Sequence, residues 1–567
     1  MIYYKKKQIA FWGIVFFIFF MLLVLEQHTL KPDFVSEESL GPIFFSKKSG
    51  FYDEAFILEL WAESGTIYYT LDGSIPDENS IKYSGPILIT DASEKENVFS
   101  MRTDVSTGFD VEEIAKISSD DPEYHTPDYK IDKATVIRAV VKGRGGYSNV
   151  QTESYFIGFS RKSGYEGMKI LNLVTLPSNL FDYETGIYVT GKTYDEYVKE
   201  YRNSNEYYWR EEFWALWLAN YRNRGPKWEK KALCQFYDEE RQLICEQDCG
   251  IRIHGGISRG YNPKSLNIYA RKEYDGNKRI RADLFGTGYY PSAVTLFQGG
   301  NEMRTKAKDY LISAAIKDLN ISTMNFEPYV LFLNGEYWGI YWLNEKYNSH
   351  YLEYYYGVNK NNVIMIKSGE LVEGNEEDYK YYSQMVKYCS ESDVTDDINF
   401  NKVCEMIDIE SYIDYYAVML YIGRSGDWPS MNYALWRTKK NENSNYGDGK
   451  WRWMIYDLNS PGSSVDSDPI EYVMENDAIF KNLMSSDTFR TALFYRIEEL
   501  ADSIFNFEIM NEKFNKYQTF ITIPMQKNDK RFYGEDSLDI FIADLEIQKN
   551  FFKERKAHLF PILERYR

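Results

Sequence analysis

The sequence is poor in histidine, in cysteine and in positive charge. It has five histidines and five cysteines, and its 66 Lys and Arg stand against 85 Asp and Glu, for a formal net charge of -19. Affinity for a nucleic-acid backbone comes mostly from neutralisation of phosphates by Lys and Arg. This balance argues against a nucleic-acid partner, whereas a basic protein substrate would be attracted, by an effect that weakens with salt.

The shortage of histidine limits the hydrolase chemistry that the chain can support. The run GISRG at 256–260 fits the Gly-x-Ser-x-Gly pattern of serine esterases, but the histidines that follow Ser258 are His350 and His558, neither in a supportive setting. The oxyanion-type glycines of HGG at 254–256 overlap the serine motif, although the two sit on separate elements in hydrolases. No Walker phosphate loop or metalloprotease helix motif is present.

The cysteine count is odd, so at least one thiol stays free or pairs outside the chain. Cys245 and Cys249 resemble a metal knuckle only loosely, because zinc needs two further ligands and the nearest histidine is His254. A disulfide, or plain packing in a hairpin, is the preferred interpretation.

The N-terminus predicts a membrane anchor. Lys5, Lys6 and Lys7 precede an uncharged apolar run from Ile9 to Leu25, and no small-residue cleavage site follows it. The favoured interpretation is an uncleaved single transmembrane helix within residues 1–27, with a cleaved signal peptide as the alternative. The positive-inside rule then places the N-terminus in the cytoplasm and the remaining domains outside the cell.

At 567 residues, the chain predicts two or more domains. A linker is expected over 28–42, and alternating apolar residues predict a small all-β sandwich over 43–158 with an inserted loop near 104–130. Residues 163–567 predict an α+β domain that is mainly helical from about 470.

Within this second domain, MKILNLVTLP predicts a strand and IRIHGG is predicted to open another. YVLFLNGEYWGIYWLNE predicts a β-hairpin that turns at Asn334-Gly335. DIESYIDYYAVMLYIG predicts a helix with an acidic cap, and that helix leads directly into the loop GDWPSMN.

This loop contains Asp427 and Asn432, and the strand WRWMIYD then delivers Asp457. Phosphoryl transfer from ATP needs a carboxylate that orients the attacking hydroxyl, an amide oxygen on magnesium, and a second carboxylate that holds magnesium against the phosphates. An Asp-x-x-x-x-Asn pair ahead of another Asp can supply all three groups. Alternatively, Asp427 and Asn432 only bond neighbouring amides in a turn.

From about Met168 onward, the chain resembles the spore-coat-protein-H (CotH) family of atypical protein kinases. The resemblance is carried by IRIHGGISRGYNPKSLNIYARKEY, YVLFLNGEYWGIYWLNEKYN, GDWPSMNY and YDLN. It implies an α+β atypical-kinase-like fold and transfer of the ATP γ-phosphate to Ser or Thr of a protein, with Mg²⁺ or Mn²⁺. The site residues that it implies are Asp427 as the catalytic aspartate, Asp457 and Asn432 as metal ligands, Lys264 and Arg259 at the nucleotide phosphates, and Glu345 as the partner of Lys264.

One departure from the family pattern bears on activity. The family often has a second acid two residues after the metal aspartate, where this chain has Asn459. The substitution removes a negative charge from the expected metal site, so a catalytically inactive pseudokinase is the alternative.

The N-terminal β segment resembles the small β-sandwich found at the C-terminus of chitobiases, through the turn from Tyr69 to Pro76. That resemblance implies a carbohydrate or cell-wall ligand, and a spacer without a ligand is the simpler alternative. Two hypotheses follow: a kinase acting on a basic or Ser-rich protein, or a non-catalytic surface protein in which the kinase-like fold is a scaffold and the sandwich binds carbohydrate or coat components.

Overall fold

The computed structural model describes residues 40–107, 125–203, 216–459, 464–534 and 537–567. The predicted anchor, almost all of the linker over 28–42, and the centre of the loop near 104–130 lie outside these ranges.

The described residues of the N-terminal unit form ten strands, most of them short. A sheet with the order β2-β10-β8-β5-β6, to which β9 adds at β8, is faced by two ladders, β1 with β4 and β3 with β7. Phe45, Leu58 and Leu60 of the ladders pack on Ile137 and Tyr155 of the sheet, as the alternation of apolar residues predicts. The strands are β1 (Phe44–Phe45), β2 (Gly50–Tyr52), β3 (Phe56–Leu58), β4 (Leu60–Trp61), β5 (Thr66–Thr70), β6 (Ile81–Lys82), β7 (Ile87–Ile89), β8 (Thr135–Gly143), β9 (Gly146–Tyr147) and β10 (Gln151–Ile157).

The next seven strands form a sheet that closes on itself in the order β11-β12-β13-β14-β15-β17-β16. β16 and β17 form the predicted hairpin, in which Leu333 pairs with Glu336 across the Asn334-Gly335 turn. IRIHGG lies at the end of a strand rather than at its start, because β13 begins earlier and pairs with β12 along most of its length. The strands are β11 (Lys169–Val174), β12 (Lys230–Tyr237), β13 (Leu243–Ile253), β14 (Leu266–Tyr269), β15 (Ala293–Phe297), β16 (Phe326–Leu333) and β17 (Glu336–Glu345).

A four-stranded antiparallel sheet follows, in the order β19-β18-β20-β21. Its strands are β18 (Val363–Lys367), β19 (Glu370–Glu373), β20 (Ala434–Thr438) and β21 (Arg452–Met454).

The C-terminal part is helical, as predicted: the helix Asp487–Asp502 packs on the predicted helix α8 (Ile409–Tyr421), and the two longest helices pack on each other. The Asp408 side chain caps α8 by accepting a hydrogen bond from the Ser411 N–H. The described helices are α1 (Pro177–Phe181), α2 (Gly191–Asn203), α3 (Lys272–Asp275), α4 (Lys308–Ala315), α5 (Ser349–Tyr356), α6 (Tyr379–Glu391), α7 (Asp397–Met406), α8 (Ile409–Tyr421), α9 (Pro469–Asn476), α10 (Ala478–Leu483), α11 (Asp487–Asp502), α12 (Phe507–Tyr533) and α13 (Leu538–Tyr566).

The prediction of a membrane-spanning helix is corrected for the part of the chain that the structure describes. Among the described residues, no helix is both long and apolar enough to cross a membrane. The helices α12 and α13 have sufficient length, but Lys, Arg, Asp and Glu recur along both. The predicted single-pass location, with a cytoplasmic N-terminus and outward-facing domains, lacks support for the same reason.

The N-terminal unit is docked on the closed sheet through the hairpin turn and a partly buried acid, Asp132. Ala134 N–H donates to the Gly335 carbonyl at 2.8 Å, and a Cβ on Gly335 would lie 2.6 Å from the Ala134 carbonyl oxygen. The Asp132 carboxylate accepts from Tyr165 Oη at 2.7 Å and pairs with Lys162 and with Lys527 of α12. These contacts join three segments that are distant in sequence.

All five cysteines are free thiols. Cys234, Cys245 and Cys249 lie buried on the neighbouring strands β12 and β13, so the structure supports hairpin packing rather than a disulfide or a metal knuckle.

Candidate functional site

Asp427, Asn432 and Asp457 meet at one end of the four-stranded sheet. β20 and β21 are antiparallel neighbours, with Ala434 opposite Met454, so the loop that enters β20 and the segment that leaves β21 lie side by side. Asn432 Nδ2 donates to Asp427 Oδ2 at 2.6 Å and also to Asp457 Oδ2. The structure therefore brings together the three residues of the predicted catalytic loop and metal site.

The backbone at this site is unusual at two of these positions. Asn432 has φ 55° and Asp457 has φ 60°, which is the left-handed region that residues other than glycine rarely adopt. Asn and Asp tolerate it best among L-residues, and such conformations cluster at functional sites. Asn432 N–H donates to Ser368 Oγ at 3.1 Å, which anchors the loop to the end of β18.

Arg424 supplies a positive charge that the sequence analysis did not identify. Its side chain is only 4% exposed, and Nη2 lies 2.6 Å from Asp427 Oδ1 and 3.6 Å from Asp457 Oδ2. Its position three residues before Asp427 in the sequence could have indicated an ion pair with that acid. The second contact depends on the fold.

A buried acid from α4 supports the turn that follows Asp457. Asp309 accepts hydrogen bonds from Leu458 N–H at 2.7 Å and from Asn459 Nδ2 at 2.5 Å. Asn459 Nδ2 also lies 3.2 Å from Asp457 Oδ1, so Asn459 connects the two acids. Burial raises the pKa of Asp309 to about 7, and the charge of Asp457 acts in the same direction. Asn459 thus has a structural role in place of a second acid.

The pKa of Asp457 is also raised. Burial is the largest cause and the charge of Asp427 adds to it, while Arg424 opposes the shift. Two acids so close together favour an additional cation between them.

Two lysines add positive charge near Asp457: Lys367 interacts electrostatically with Asp457, and Lys346 interacts with Lys367. Lys367 ends β18, and its amino group lies 4.1 Å from the ring centroid of Tyr456, the residue before Asp457. Desolvation lowers the pKa of Lys367, and the charge of Asp457 opposes that shift. Lys346 donates to Asn267 Oδ1 at 3.2 Å, and its pKa falls to about 8 through burial and then through the charge of Lys367. Their contacts are with an amide oxygen and a ring, not with carboxylates, so both lysines remain suited to an anion.

Lys264 and Arg259 lie in a different environment. The Lys264 amino group is buried, donates to the Arg259 carbonyl at 2.9 Å, and lies 3.6 Å from the ring centroid of Tyr221. Arg259 donates to the carbonyls of Gly255 and Tyr221. Both side chains hold the loop that precedes β14, and neither contacts the acidic pair.

Glu345 is buried at the end of β17, with partners other than Lys264. Its Oε2 accepts from Asn325 N at 2.9 Å and from Asn325 Nδ2 at 3.0 Å, and its Oε1 accepts from Tyr355 Oη at 2.5 Å. Burial raises the pKa of Glu345 to about 7. In this structure, Glu345 and Lys264 are not each other's partners.

The residues at the acidic pair fit a divalent cation by their chemistry. Oxygens of Asp427 and Asp457 already converge on a single amide NH₂ group of Asn432, and a rotated amide would present Oδ1 instead. Carboxylate and amide oxygens are ligands that Mg²⁺ and Mn²⁺ accept. In the ranges described, no group of three or more His, Cys, Asp or Glu could hold a metal, so a cation here would depend on two carboxylates, the amide and groups of the ligand.

Comparison with known proteins relates both units to families. The model of the family described as CotH kinase protein matches residues 251–559, and the model described as Fn3 associated matches residues 58–155. The first match covers more than half of the chain and includes Asp427, Asn432 and Asp457. The second covers most of the N-terminal β unit. No curated protein matches the chain.

Proposed function

The chain belongs to the CotH kinase protein family, and from this membership we propose that it transfers the γ-phosphate of ATP to Ser or Thr hydroxyls of a protein substrate. The observation that carries the proposal is the convergence of Asp427, Asn432 and Asp457 through one amide group. Protein kinases use an aspartate, an asparagine and a second aspartate for this reaction.

In this mechanism, Asp427 accepts a hydrogen bond from the acceptor hydroxyl and orients its oxygen toward the γ-phosphorus. Asp457 and Asn432 would hold the divalent cation, which when bound neutralises phosphate charge. Arg424 keeps the Asp427 carboxylate in place through the contact at 2.6 Å. Catalysis of this kind depends mainly on positioning and charge, which these groups are suited to supply.

For the nucleotide phosphates, we favour Lys367 over Lys264. Lys367 lies beside Tyr456 and is coupled electrostatically to Asp457, whereas the amino group of Lys264 is saturated by carbonyl groups and a ring. A lysine ammonium acts as a point charge and needs free space to approach a phosphate. The role that the family resemblance implies for Lys264 would require a rearrangement of the 255–261 loop.

The protein substrate is expected to be basic or Ser-rich. The net charge of -19 favours a basic partner, and the interaction should weaken as salt is raised.

The direct test is Mg²⁺- or Mn²⁺-dependent transfer of labelled phosphate from ATP to the purified protein or to a basic substrate. Asp427→Ala and Asp457→Ala should abolish transfer, and Asp397→Asn, at an exposed acid in the first turn of α7, should leave it unchanged. Equal transfer by the unaltered protein and its three variants would assign the label to a contaminating kinase. Absence of both transfer and nucleotide binding in the unaltered protein would favour a pseudokinase scaffold.

A second candidate function, carbohydrate binding, is favoured by one feature of the N-terminal unit. Phe44 and Trp61 are cross-strand neighbours on β1 and β4, are 51% and 56% exposed, and have ring centroids 5.2 Å apart. Ile57 and Leu88 form a second exposed cross-strand pair on β3 and β7. Exposed apolar faces of this kind often mark binding sites.

This second candidate is tested by binding of the full chain to a glycan array. Trp61→Ala should lose retention, while Tyr495→Ala, which removes an exposed aromatic residue on α11, should keep it. Retention that is equal in the two variants, or absent from the unaltered protein, would count against the aromatic pair as a sugar site.

A further inference from the structure

Arg555 connects the last helix to two segments that flank the candidate active site. It is on α13, is fully buried, and donates only to backbone carbonyls. Nε donates to Tyr421 O at 2.9 Å and Nη2 to Leu420 O at 3.1 Å, while Nη1 donates to Val465 O at 2.7 Å and to Ser467 O at 3.2 Å.

The two pairs of carbonyls belong to segments that flank the site. Leu420 and Tyr421 are the last residues of α8, and the chain continues through Gly423 into Arg424 and Asp427. Val465 and Ser467 lie in the segment that comes after Asp457 and leads into α9. One side chain therefore joins the segment that delivers Asp427 to the segment downstream of Asp457.

The same helix holds the second segment at another point. Asp468 caps α9 by accepting from Ile470 and Glu471 N–H, and its Oδ2 also accepts from Arg565 Nη2 at 2.7 Å and from Tyr566 Oη at 2.9 Å. The C-terminal half of α13 thus contacts the 465–468 segment through three side chains.

The chemistry of these contacts requires a guanidinium. The last carbonyls of a helix have no partners within that helix and carry partial negative charge, which a cation satisfies. A planar guanidinium directs Nε and Nη2 to one helix end while Nη1 points to the other segment, whereas a lysine ammonium at the end of a flexible stem cannot span both.

We propose that Arg555 is a positioning residue that couples the Asp427 loop to the segment after Asp457 and so sets the geometry for phosphoryl transfer. The inference rests on the proposed kinase function. Arg555 touches no reacting atom, and it acts through the end of α8 and through the 465–467 backbone. Loss of the coupling should slow transfer without weakening nucleotide binding, because Lys367 and Asp457 lie outside the two segments and keep their own contacts.

The test compares Arg555→Lys with Arg531→Lys in the full chain. Arg531 is also a fully buried arginine, but it lies on α12 beside the rings of Trp338 and Phe532, so it controls for the general cost of altering a buried guanidinium. The measurements are kcat, KM for ATP, melting temperature, and hydrogen exchange of backbone amides.

We expect Arg555→Lys to lower kcat about 10- to 100-fold, the scale set by misplacement of a catalytic group by about 1 Å. KM for ATP should stay within about twofold, which is the pattern of an interaction that matters in the transition state. Amide exchange should rise in both 420–432 and 464–468. Arg531→Lys should lower the melting temperature without these local changes.

An unchanged kcat in Arg555→Lys, or exchange that does not rise in both segments, would overturn the inference. If the unaltered protein shows neither transfer nor nucleotide binding, the proposed function fails, and the exchange measurement alone still decides whether Arg555 couples the segments. Should Arg555→Lys not fold, Arg565→Gln takes its place, because the Arg565 side chain is 61% exposed and its loss spares the core. That variant should raise exchange in 464–468 and lower kcat to a smaller extent, and no change in either would count against the coupling.

Discussion

Replacement of Asp457 by Asn is expected to stabilise the protein without ligand and to remove most of its stabilisation by ATP and metal. Oxygens of Asp427 and Asp457 accept hydrogen bonds from the same Asn432 nitrogen, so they lie at most roughly 5 Å apart. Two unit charges at that distance repel by about 3 kcal/mol at an effective dielectric constant of about 20. The raised pKa of Asp457 agrees in sign, because the charged form is the disfavoured one.

Two effects reduce this repulsion. Arg424 lies 2.6 Å from Asp427 and 3.6 Å from Asp457, and the side chains of the two acids are 38% and 33% exposed, so solvent screens them. We therefore expect a gain of about 1 kcal/mol in the free energy of unfolding of Asp457→Asn, or a rise of roughly 2–4 °C in melting temperature.

Ligand should reverse the order of the two melting temperatures, so that the unaltered protein becomes more stable than Asp457→Asn. At a concentration about 100 times its Kd, ATP with metal should stabilise the unaltered protein by about 2.7 kcal/mol, or roughly 5–10 °C. Asp457→Asn should show little of this shift because one of the two metal carboxylates is missing. Thermal melts with no ligand, Mg²⁺ alone, ATP alone and both together provide the measurement, and Asp397→Asn should behave as the unaltered protein. A lower melting temperature of Asp457→Asn without ligand, or a full ligand shift in that variant, would refute the electrostatic reasoning.

Three further predictions concern other charged side chains of the fold. Lys367→Met should weaken ATP binding about tenfold or more, as measured by calorimetry, whereas Lys264→Met should leave the Kd unchanged, and the opposite result would restore Lys264 as the phosphate ligand. Because burial raises the pKa of Glu345 to about 7, its contribution to the free energy of unfolding is present at low pH and falls by about 3 kcal/mol as pH rises from roughly 4.5 through 7. Melting temperatures of the unaltered protein should therefore decline more steeply between pH 5 and 8 than those of Glu345→Gln, and parallel curves would contradict this. Asp132→Asn breaks ion pairs that include Lys527 and should lower the free energy of unfolding by about 3 kcal/mol in urea titrations, and an unchanged midpoint would show that the docking of the N-terminal unit does not depend on this acid.

The elements that sequence analysis predicted well depend on local information. The hairpin at Asn334-Gly335 follows from strand alternation and from the turn preference of those two residues. The helix over Ile409–Tyr421 follows from its apolar composition and from the Asp408 cap. The second of these elements placed the loop of Asp427 correctly at the end of a helix.

The misplaced or missed features depend on contacts between distant segments. Asp309 precedes Asp457 by well over a hundred residues, and nothing near it in sequence indicates that it binds the turn after Asp457. The pairing of Glu345 with Asn325 and Tyr355, rather than with Lys264, likewise depends on the fold, which brings the residue before β16 and a residue of α5 to the end of β17. The role of Arg555 depends on how α13 crosses the end of α8.

By itself, the sequence determined the family of the chain and the identity of the acidic pair and its asparagine. The reason is that these residues lie in short motifs, GDWPSMNY and YDLN, that follow one another in a fixed order along the chain. Only the tertiary structure decided which cations face that pair. Lys264, Lys346 and Lys367 have the same chemistry in the unfolded chain, and they differ in the folded protein because burial and partners differ: carbonyls and a ring around Lys264, an amide oxygen beside Lys346, and the Tyr456 ring next to Asp457 beside Lys367. Desolvation and pairing are properties of the neighbours that folding assembles, so they cannot be read from spacing along the chain.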